Sequence, residues 1–303
     1  MTADIRRRLL EQLWCRLRCP SCHAPLSGEM TAGTLICATC RQGYPVLAGG
    51  APVLLSPARQ AEFRTVLEDT GGKRMLKEYH GFGTWRARLR SWIRPPSIVY
   101  DEAIARKYAW IYDTRGEHTI ALSIGGGPGR ENPRVLNLNI DAFDSVDIVG
   151  DGCNIPLCDD TCDTVTCNAV IEHVPEPAAL VAEIHRILKP GGYAQLMIPF
   201  VFPFHAYPAD YQRYTEQGIL GLTTRFDRVE LSVLTGPTSA MLVLLREYLR
   251  LIVPGGNHGS MRTVLNGLSG WLTFPLKYID VLLNQKPEAA GLAAAFYYLG
   301  RKR

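Results

Sequence analysis

Four cysteines near the start of the chain have the spacing of a metal site. Cys19 and Cys22 form one CxxC pair, Cys37 and Cys40 form a second, and 14 residues separate the two pairs. In a CxxC turn two thiolates point at one centre, and two such turns complete a tetrahedral set of four sulfur ligands. We therefore predict a structural metal ion, zinc ahead of iron, at this site. Because all four ligand positions are filled by the protein, the ion has no position for a substrate.

A glycine-rich segment in the middle of the chain predicts a ligand-binding loop. The letters IGGGPG, residues 124–129, follow the apolar run TIALSI. Glycines let the backbone approach a ligand closely, and a helix after such a loop favours a carboxylate or phosphate at its N-terminus. We expect a helix there. The spacing GxGxG differs from the GxGxxG of NAD-binding folds.

A third group of polar residues lies further on, in the aromatic segment 204–214. In a parallel sheet this segment is expected over the carboxyl ends of the strands, where ligands bind. His205 is the first candidate for a general base, since an unperturbed histidine titrates near neutral pH. Asp210 would orient it, and His173, Tyr207 and Tyr211 are expected to bind substrate. A packing role for His205 stays open.

The elements that position these residues follow an α/β pattern. From residue 119 onward, apolar runs alternate with helices and loops, which predicts a doubly wound, mostly parallel, Rossmann-like sheet. Residues 178–188 form a helix with one apolar face, ending at LKPGG. We divide the chain into a ribbon module (1–57), a basic, aromatic helical linker or lid (58–118) and an α/β domain (119–303). A helical insertion at about 236–288 is expected to act as a cap.

Five sequence blocks then carry a family resemblance. SIGGGPG, NLNID, GDGCNIPL, VIEHV and LKPGG occur in this order within about residues 119–235. This region resembles the class I S-adenosylmethionine-dependent methyltransferases, of the methyltransferase type 11 kind. Residues 17–55 resemble the small zinc-ribbon activator subunit of eukaryotic RNA and protein methyltransferases. In bacteria such ribbons are also fused directly to methyltransferases.

The resemblance implies S-adenosylmethionine as cofactor and a role for each matching residue. The glycine loop would line its methionine part, Asp151 would accept from the adenine amino group, and the end of the fourth strand would face the sulfonium. Asn139 stands where the family has a ribose-binding acid, with Asp141 as the substitute, and Ser123 stands where an acid is frequent. The implied cofactor residues are Ser123, Gly125, Gly126, Gly127, Gly129, Asn139, Asp141, Asp151, Gly152, Cys153, Asn168 and Ala169.

Composition is that of a globular protein. Of 303 residues, 47% are hydrophobic and 20% charged, which excludes a disordered chain. A net charge of +4 does not by itself indicate nucleic-acid binding. Between Lys73 and Arg94, however, seven basic residues and one acid alternate with aromatic residues, so contacts to RNA, to an anionic membrane, or a lid role all stay open.

Localisation is expected to be cytoplasmic. The first residues lack the apolar core of a signal peptide. Lys277 and Asp280 interrupt the apolar stretch 264–283, which argues against a spanning helix. Nine cysteines in a reducing compartment favour metal binding or burial over disulfides.

The function predicted on this basis is methyl transfer to a nucleophile on a small molecule or glycan-type metabolite. The reaction is an in-line displacement, for which a general base is not compulsory. One alternative is an RNA methyltransferase, which is weakened because Arg41 is the only Lys or Arg between residues 19 and 57. Others are a cofactor-binding partner protein without transferase activity, and another reaction of the same cofactor.

Overall fold

The computed structural model describes residues 2–28, 33–69, 101–112, 119–254 without 128, 131 and 133, and 259–303. The predicted basic, aromatic linker or lid falls largely on residues 70–100 and 113–118, outside the described residues. Its role therefore stays a prediction.

Strands and helices alternate along the described chain. The strands are β1 (Leu26–Ser27), β2 (Thr34–Cys37), β3 (Gly43–Pro45), β4 (Val53–Leu54), β5 (Ala121–Ile124), β6 (Val135–Asn139), β7 (Ile148–Gly150), β8 (Cys162–Asn168), β9 (Leu188–Pro199), β10 (Phe226–Thr235) and β11 (Ala295–Lys302). The α-helices are α1 (Thr2–Trp14), α2 (Pro57–Asp69), α3 (Glu102–Lys107), α4 (Pro177–Ile187), α5 (Glu216–Leu222), α6 (Pro237–Ile252), α7 (Gly259–Thr273) and α8 (Asp280–Leu283). Short 3-10 helices span Ala109–Tyr112, Ile171–His173, Phe274–Ile279 and Pro287–Leu292.

One large sheet of eight strands organises the domain. Its order is β10-β11-β9-β8-β5-β6-β7-β4. The pairs from β9 to β4 are parallel, and β11 is antiparallel to both of its neighbours. Every residue of β5 and β6 is buried, as expected of central parallel strands covered on both faces. The predicted doubly wound, mostly parallel sheet is confirmed.

Helix α4 forms as the apolar periodicity predicts. Leu180, Val181, Ile184 and Ile187 are its buried residues, and they pack into the main core. Pro177 occupies the first turn, where a missing N–H costs nothing. The helix ends at Ile187, and the LKPGG segment already belongs to β9.

The helix predicted after the glycine loop is absent from the described part of residues 125–134. Strand β5 ends at Ile124 and β6 begins at Val135, and the described residues between them form no helix. The prediction is wrong there because four glycines and two prolines in ten residues oppose a helix, through backbone entropy and missing N–H donors.

The N-terminal ribbon docks directly on the α/β domain. Strands β1 to β3 form a separate small sheet, but β4 pairs with β7 in the large one. The amide of Arg18 donates to the Pro156 carbonyl at 2.9 Å, and the amide of Cys158 donates to the Arg16 carbonyl at 2.9 Å. The buried side chains of the ribbon and of the domain belong to one core.

Helices α6 to α8 occupy the predicted insertion between β10 and β11. The Asp280 carboxylate caps the start of α6, accepting from the amides of Thr238 and Ser239 at 2.7 and 2.9 Å. Large apolar side chains such as Leu251 and Leu272 remain exposed on these helices. No helix among the described residues has the length and apolar character that a membrane span requires.

Candidate active site

A cleft opens at the carboxyl ends of the central strands. Its volume is about 820 Å³, including space continuous with solvent. Gly125, Asn139, Asp151 and Ala169 line it, and each follows or ends a different strand from β5 to β8. A cleft of this size at this end of a parallel sheet is the usual position of a ligand site. Four of the predicted cofactor residues are therefore brought together.

The glycine loop has the conformation that only glycine adopts without strain. Gly125 has φ +71°, and a Cβ there would lie 2.3 Å from Val170 Cγ2. Gly127 has φ +61°, with no atom within 4 Å of the corresponding position, and Gly129 is equally open. A Cβ on Gly126 would lie 3.1 Å from Ser123 Oγ, so the buried Ser123 packs beneath the loop. The loop therefore presents bare backbone, as a closely approaching ligand requires.

Asp151 makes contacts that the sequence did not predict. Its Oδ1 accepts from the amide of Cys153 at 2.9 Å, and its Oδ2 accepts from Arg59 Nε at 2.6 Å. Arg59 lies on α2, directly after the ribbon, and also pairs with Glu62 at 2.7 Å. Together with Phe63, these α2 residues form one wall of the cleft. Sequence reasoning missed them because no motif marks a single basic residue on a helix.

Tyr207 lies beside the predicted ribose residues. Its hydroxyl donates to Asp141 Oδ2 at 3.2 Å, and its ring lies 6.4 Å from that of Phe143. The Asn139 Oδ1 atom accepts from the Asp141 amide at 3.0 Å. Tyr207 was predicted to bind substrate, and in the structure it borders the cleft on the β6 side.

Among the predicted cofactor residues at the end of β8 and in the loop after β7, Ala169 and Gly152 line the cleft, whereas Asn168 and Cys153 are not among its lining residues. Asn168 Oδ1 accepts from Gln195 Nε2 at 3.3 Å, and Ala169 has φ +53° at the cleft wall. Gly152 also lines the cleft, and a Cβ on it would lie 2.9 Å from Leu180 Cδ1. Burial raises the pKa of Cys153 to about 12, so its thiol stays protonated at neutral pH.

Asp210 and His205 are close, but the ring is not the main partner of the carboxylate. Asp210 Oδ2 accepts from the backbone amide of His205 at 2.7 Å and from Arg213 Nη2 at 2.7 Å. The distance from His205 Nδ1 to Asp210 Oδ2 is 3.5 Å. Burial raises the pKa of Asp210, but the hydrogen bonds from Arg213 and the His205 amide outweigh it and leave the pKa below its ordinary value. Asp210 thus orders the loop through Arg213, which the sequence analysis did not name.

His205 faces a second histidine and a buried acid. The rings of His173 and His205 lie 4.9 Å apart, edge to face. The Nε2 atoms of His173 and His205 lie 3.7 and 3.5 Å from Glu172 Oε1. Burial lowers the pKa of His173, which favours its neutral ring. His173 and the half-exposed Tyr211 line the cleft, as predicted for substrate residues, whereas His205 is not among its lining residues.

The four ribbon cysteines form the cluster that their spacing predicts. The sulfurs of Cys19 and Cys40 lie 3.6 Å apart, those of Cys22 and Cys37 lie 3.4 Å apart, and all four lie within 4.8 Å of one another. The amide of Cys40 points at the Cys37 sulfur and lowers the pKa of that thiol to about 6. A compact set of four thiols with an amide facing a sulfur fits a structural zinc ion.

The residues that follow the two CxxC pairs share one backbone conformation. His23 has φ 57° and Arg41 has φ 62°. The amide of His23 donates to the Cys19 carbonyl and that of Arg41 to the Cys37 carbonyl, at 2.8 and 3.2 Å. The two turns are therefore alike, which explains how each directs two sulfurs to one centre.

Two protein families match separate parts of the chain. Residues 131–196 match the family described as "Methyltransferase domain", and residues 17–48 match "Trm112p-like protein". Among curated proteins, the ubiquinone biosynthesis O-methyltransferase of Pseudomonas aeruginosa strain PAO1 is 53% identical over 30 residues, which is 10% of this chain and 13% of that protein. The enzyme of the same name from Thiobacillus denitrificans is 55% identical over 31 residues, again 10% and 13%. The chain thus spans about an eighth of the length of these relatives.

Solved structures that align with part of this chain include methyltransferases. A geranyl diphosphate C-methyltransferase from Streptomyces coelicolor aligns with a TM-score of 0.42 at 12% identity, over 67% of this chain and 76% of that one. A phosphoethanolamine N-methyltransferase from Haemonchus contortus aligns with a TM-score of 0.39 at 15% identity, over 65% and 52%. Scores and identities this low have no bearing on the substrate.

Proposed function

We propose that this chain, which joins a Trm112p-like ribbon to a segment of the methyltransferase-domain family, is an S-adenosylmethionine-dependent methyltransferase. Its acceptor would be a nucleophile on a small molecule or glycan-type metabolite. The observation that carries the proposal is the convergence of Gly125, Asn139, Asp151 and Ala169 on one cleft.

The residues of the cleft fit the chemistry of this cofactor. The bare backbone around Gly125 and Gly127 would take the methionine part, because a side chain at either position would be strained. Asn139 and Asp141 offer oxygens for ribose hydroxyls. Asp151 would accept a hydrogen bond from the adenine amino group, while its Oδ2 accepts one from Arg59. When bound, the cofactor supplies a methyl group already activated by its sulfonium.

The chain itself contributes position and shelter more than covalent chemistry. Helix α2 covers one side of the cleft with Phe63 and Arg59, which limits water at the reacting atoms. His173 and Tyr211 border the space left for an acceptor. Holding an acceptor in line with the methyl group supplies much of the rate of such a displacement. His205, with Asp210 beside it, stays our proposed base for acceptors that must lose a proton, although His173 is the histidine at the cleft wall.

A small acceptor is favoured over RNA. The cleft is walled on one side by α2 and on another by the loop carrying Tyr207 and Tyr211. The ribbon, in contrast, has Arg41 as its only Lys or Arg between residues 19 and 57. Affinity for RNA depends on many phosphate contacts from basic side chains. Small nucleophiles should therefore be screened before RNA.

The first test is calorimetric titration of zinc-replete protein with S-adenosylmethionine and with S-adenosylhomocysteine. We expect both to bind with micromolar affinity, and methyl transfer from labelled cofactor to follow for at least one class of acceptor. If neither compound binds, the cleft is not a cofactor site and the proposal is wrong. Binding of both with transfer only to RNA would replace the acceptor class and leave the reaction type intact.

A further inference from the structure

The side chains of Glu172, His173 and His205 form a cluster outside the predicted cofactor residues. One ligand atom of each lies within 4.8 Å of the others. Glu172 and His173 follow β8 in the 3-10 helix Ile171–His173, and His205 follows β9. The loop after β9, which carries His205 and Tyr211, is hydrogen-bonded to that helix, since the Tyr211 amide donates to the Glu172 carbonyl at 2.8 Å. The three side chains are therefore held together by the backbone and not only by one another.

Glu172 is a buried carboxylate that receives no hydrogen bond from the described residues. Its side chain has no exposed area, and within the described chain neither Oε1 nor Oε2 has a hydrogen-bond partner. Arg213, in the loop that carries His205, is hydrogen-bonded to both oxygens of Asp210. The side chain of Asp147 is also fully buried, but its oxygens accept hydrogen bonds from Arg130 Nη2 at 2.8 and 2.9 Å and from the Asn137 amide at 2.8 Å. A buried charge with no partner is costly, which suggests that a cation belongs beside Glu172.

Both histidines are oriented as metal ligands commonly are. His173 Nδ1 lies 2.5 Å from the Ala209 carbonyl oxygen. His205 Nδ1 lies 3.1 Å from the Pro203 carbonyl oxygen and 3.5 Å from Asp210 Oδ2, and these two acceptors favour a proton on Nδ1. Arg213 Nη2 is also 3.3 Å from this Nδ1, but its shorter bonds are to the Pro203 carbonyl at 3.0 Å and to Asp210 Oδ2 at 2.7 Å. An imidazole that donates from Nδ1 to a carbonyl has its lone pair on Nε2. The two Nε2 atoms are also those nearest the Glu172 carboxylate. The two Nε2 lone pairs and the carboxylate are therefore available to one ion, and with that ion bound His205 is a ligand in place of the base proposed above.

The geometry points to a divalent transition-metal site formed by Glu172, His173 and His205 at the wall of the cleft. Ligand atoms about 2.0–2.2 Å from one ion lie about 3 to 3.5 Å apart, close to the distances of 3.5 and 3.7 Å from Glu172 Oε1 to the two Nε2 atoms. Imidazole and carboxylate together suit manganese, iron, cobalt or zinc better than magnesium or calcium.

Three protein ligands leave open positions on the ion, unlike the closed ribbon site. Because His173 also lines the cleft, an open position there would accept an oxygen of the methyl acceptor. This use of the ion rests on the proposed function, but binding of the ion does not. An acceptor with a hydroxyl, phenol or carboxylate oxygen near its nucleophile would gain most from such a contact.

The experiment is calorimetric titration of the full chain, with its ribbon loaded with zinc, using Mn²⁺ alone. Mn²⁺ is a poor partner for thiolates, so the ribbon does not compete. We expect one Mn²⁺ per chain. Glu172→Gln, which keeps the side-chain shape, should weaken binding by more than about 100-fold, beyond the roughly 10- to 100-fold typical of loss of a supporting residue. His185→Ala, a half-buried histidine packed on Phe226 outside the cluster, should bind as the unmodified chain does. Absence of Mn²⁺ binding, or equal binding by Glu172→Gln, would overturn the site.

A spectroscopic measurement covers the case in which Glu172→Gln does not fold. Co²⁺ added to the unmodified, zinc-loaded chain should show the absorption of a nitrogen- and oxygen-ligated ion, without the intense thiolate band of a cysteine site. No such absorption would refute the inference. Titration of the same samples with S-adenosylmethionine separates the two proposals. Cofactor binding without metal binding removes the metal site alone, and metal binding without cofactor binding removes the proposed function alone.

Discussion

The ribbon cysteines and the Glu172–His173–His205 cluster are two groups of potential metal ligands built in opposite ways. In the ribbon, two pairs of ligands each come from one tight turn, and all four positions of a tetrahedral ion are filled by sulfur. In the second cluster, two ligands are neighbours and the third lies 32 residues further along, on the next strand's loop. The first group is closed and holds a small module together. The second is open and borders a cleft.

This difference shows that the role of a ligand group is reflected in how far apart its residues lie in the sequence. A structural metal site contributes to folding, and ligands that lie in short turns can stabilise a small module without help from distant parts of the chain. A site that serves a reaction must instead lie where several loops meet, at the carboxyl ends of parallel strands. The two sites also differ in electrostatics. Thiolates of the ribbon are partly exposed, at Cys22 and Cys40, whereas Glu172 is fully buried.

Removing one ribbon ligand should have the largest effect. For Cys37→Ser we expect the loss of one metal ion per chain and of the fold of the ribbon, since zinc binding in small modules is worth about 10 kcal/mol or more. Metal analysis and circular dichroism measure both. Cys15→Ser, an exposed cysteine outside the cluster, serves as control and should keep its metal. Unchanged metal content in Cys37→Ser would eliminate the four-thiolate site.

The second largest effect is expected when the arginine that pairs with a buried acid is replaced. Arg130→Met leaves Asp147 buried without its arginine, and we expect a loss of about 3–5 kcal/mol in the free energy of unfolding. Urea denaturation measures it. Arg303→Met breaks an exposed ion pair with Asp227 and should cost less than about 1 kcal/mol. If Arg130→Met lowers the free energy of unfolding equally little, buried carboxylates in this fold need no positive partner. The burial of Glu172 would then no longer argue for a cation beside it.

A substitution in the glycine loop should remove the cofactor and leave both ligand clusters intact. Gly127→Val puts a branched side chain at φ +61°, in the space next to the bare loop. We expect affinity for S-adenosylmethionine to fall at least about 100-fold, or about 2.7 kcal/mol. Calorimetry measures it, with Gly221→Ala in α5 as the control. Retained affinity would show that the cofactor does not use this loop.

We expect the smallest effect for Glu172→Gln, whose stability relative to the unmodified chain should change sign when Mn²⁺ is added. In zinc-loaded protein without added Mn²⁺ we expect Glu172→Gln to stabilise the fold by about 1–3 kcal/mol, because it removes a buried carboxylate that receives no hydrogen bond. In the presence of Mn²⁺ the unmodified chain should become the more stable of the two. Thermal unfolding with and without the ion measures both. A variant that is less stable under both conditions would indicate that Glu172 has a protein partner.

Much of the fold could be predicted because its helices and strands follow from patterns of neighbouring residues. The period of apolar residues predicts α4, and the alternating blocks predict the parallel sheet. The helix predicted after the glycine loop is absent from the described residues, because glycine and proline disfavour it. The cofactor residues around Gly125 and Asp151 converge as the resemblance implies, but their individual roles stay predictions.

By itself the sequence determined the ribbon ligands and the glycine loop, since both depend on residues within a few positions of one another. Only the tertiary structure decided that Arg59 reaches Asp151 and that Glu172 lies unpaired between His173 and His205. Arg59 and Asp151 are 92 positions apart, a separation bridged by the docking of the ribbon on β7. Contacts of that kind depend on which loops the sheet order brings to one edge, and no local spacing encodes that order.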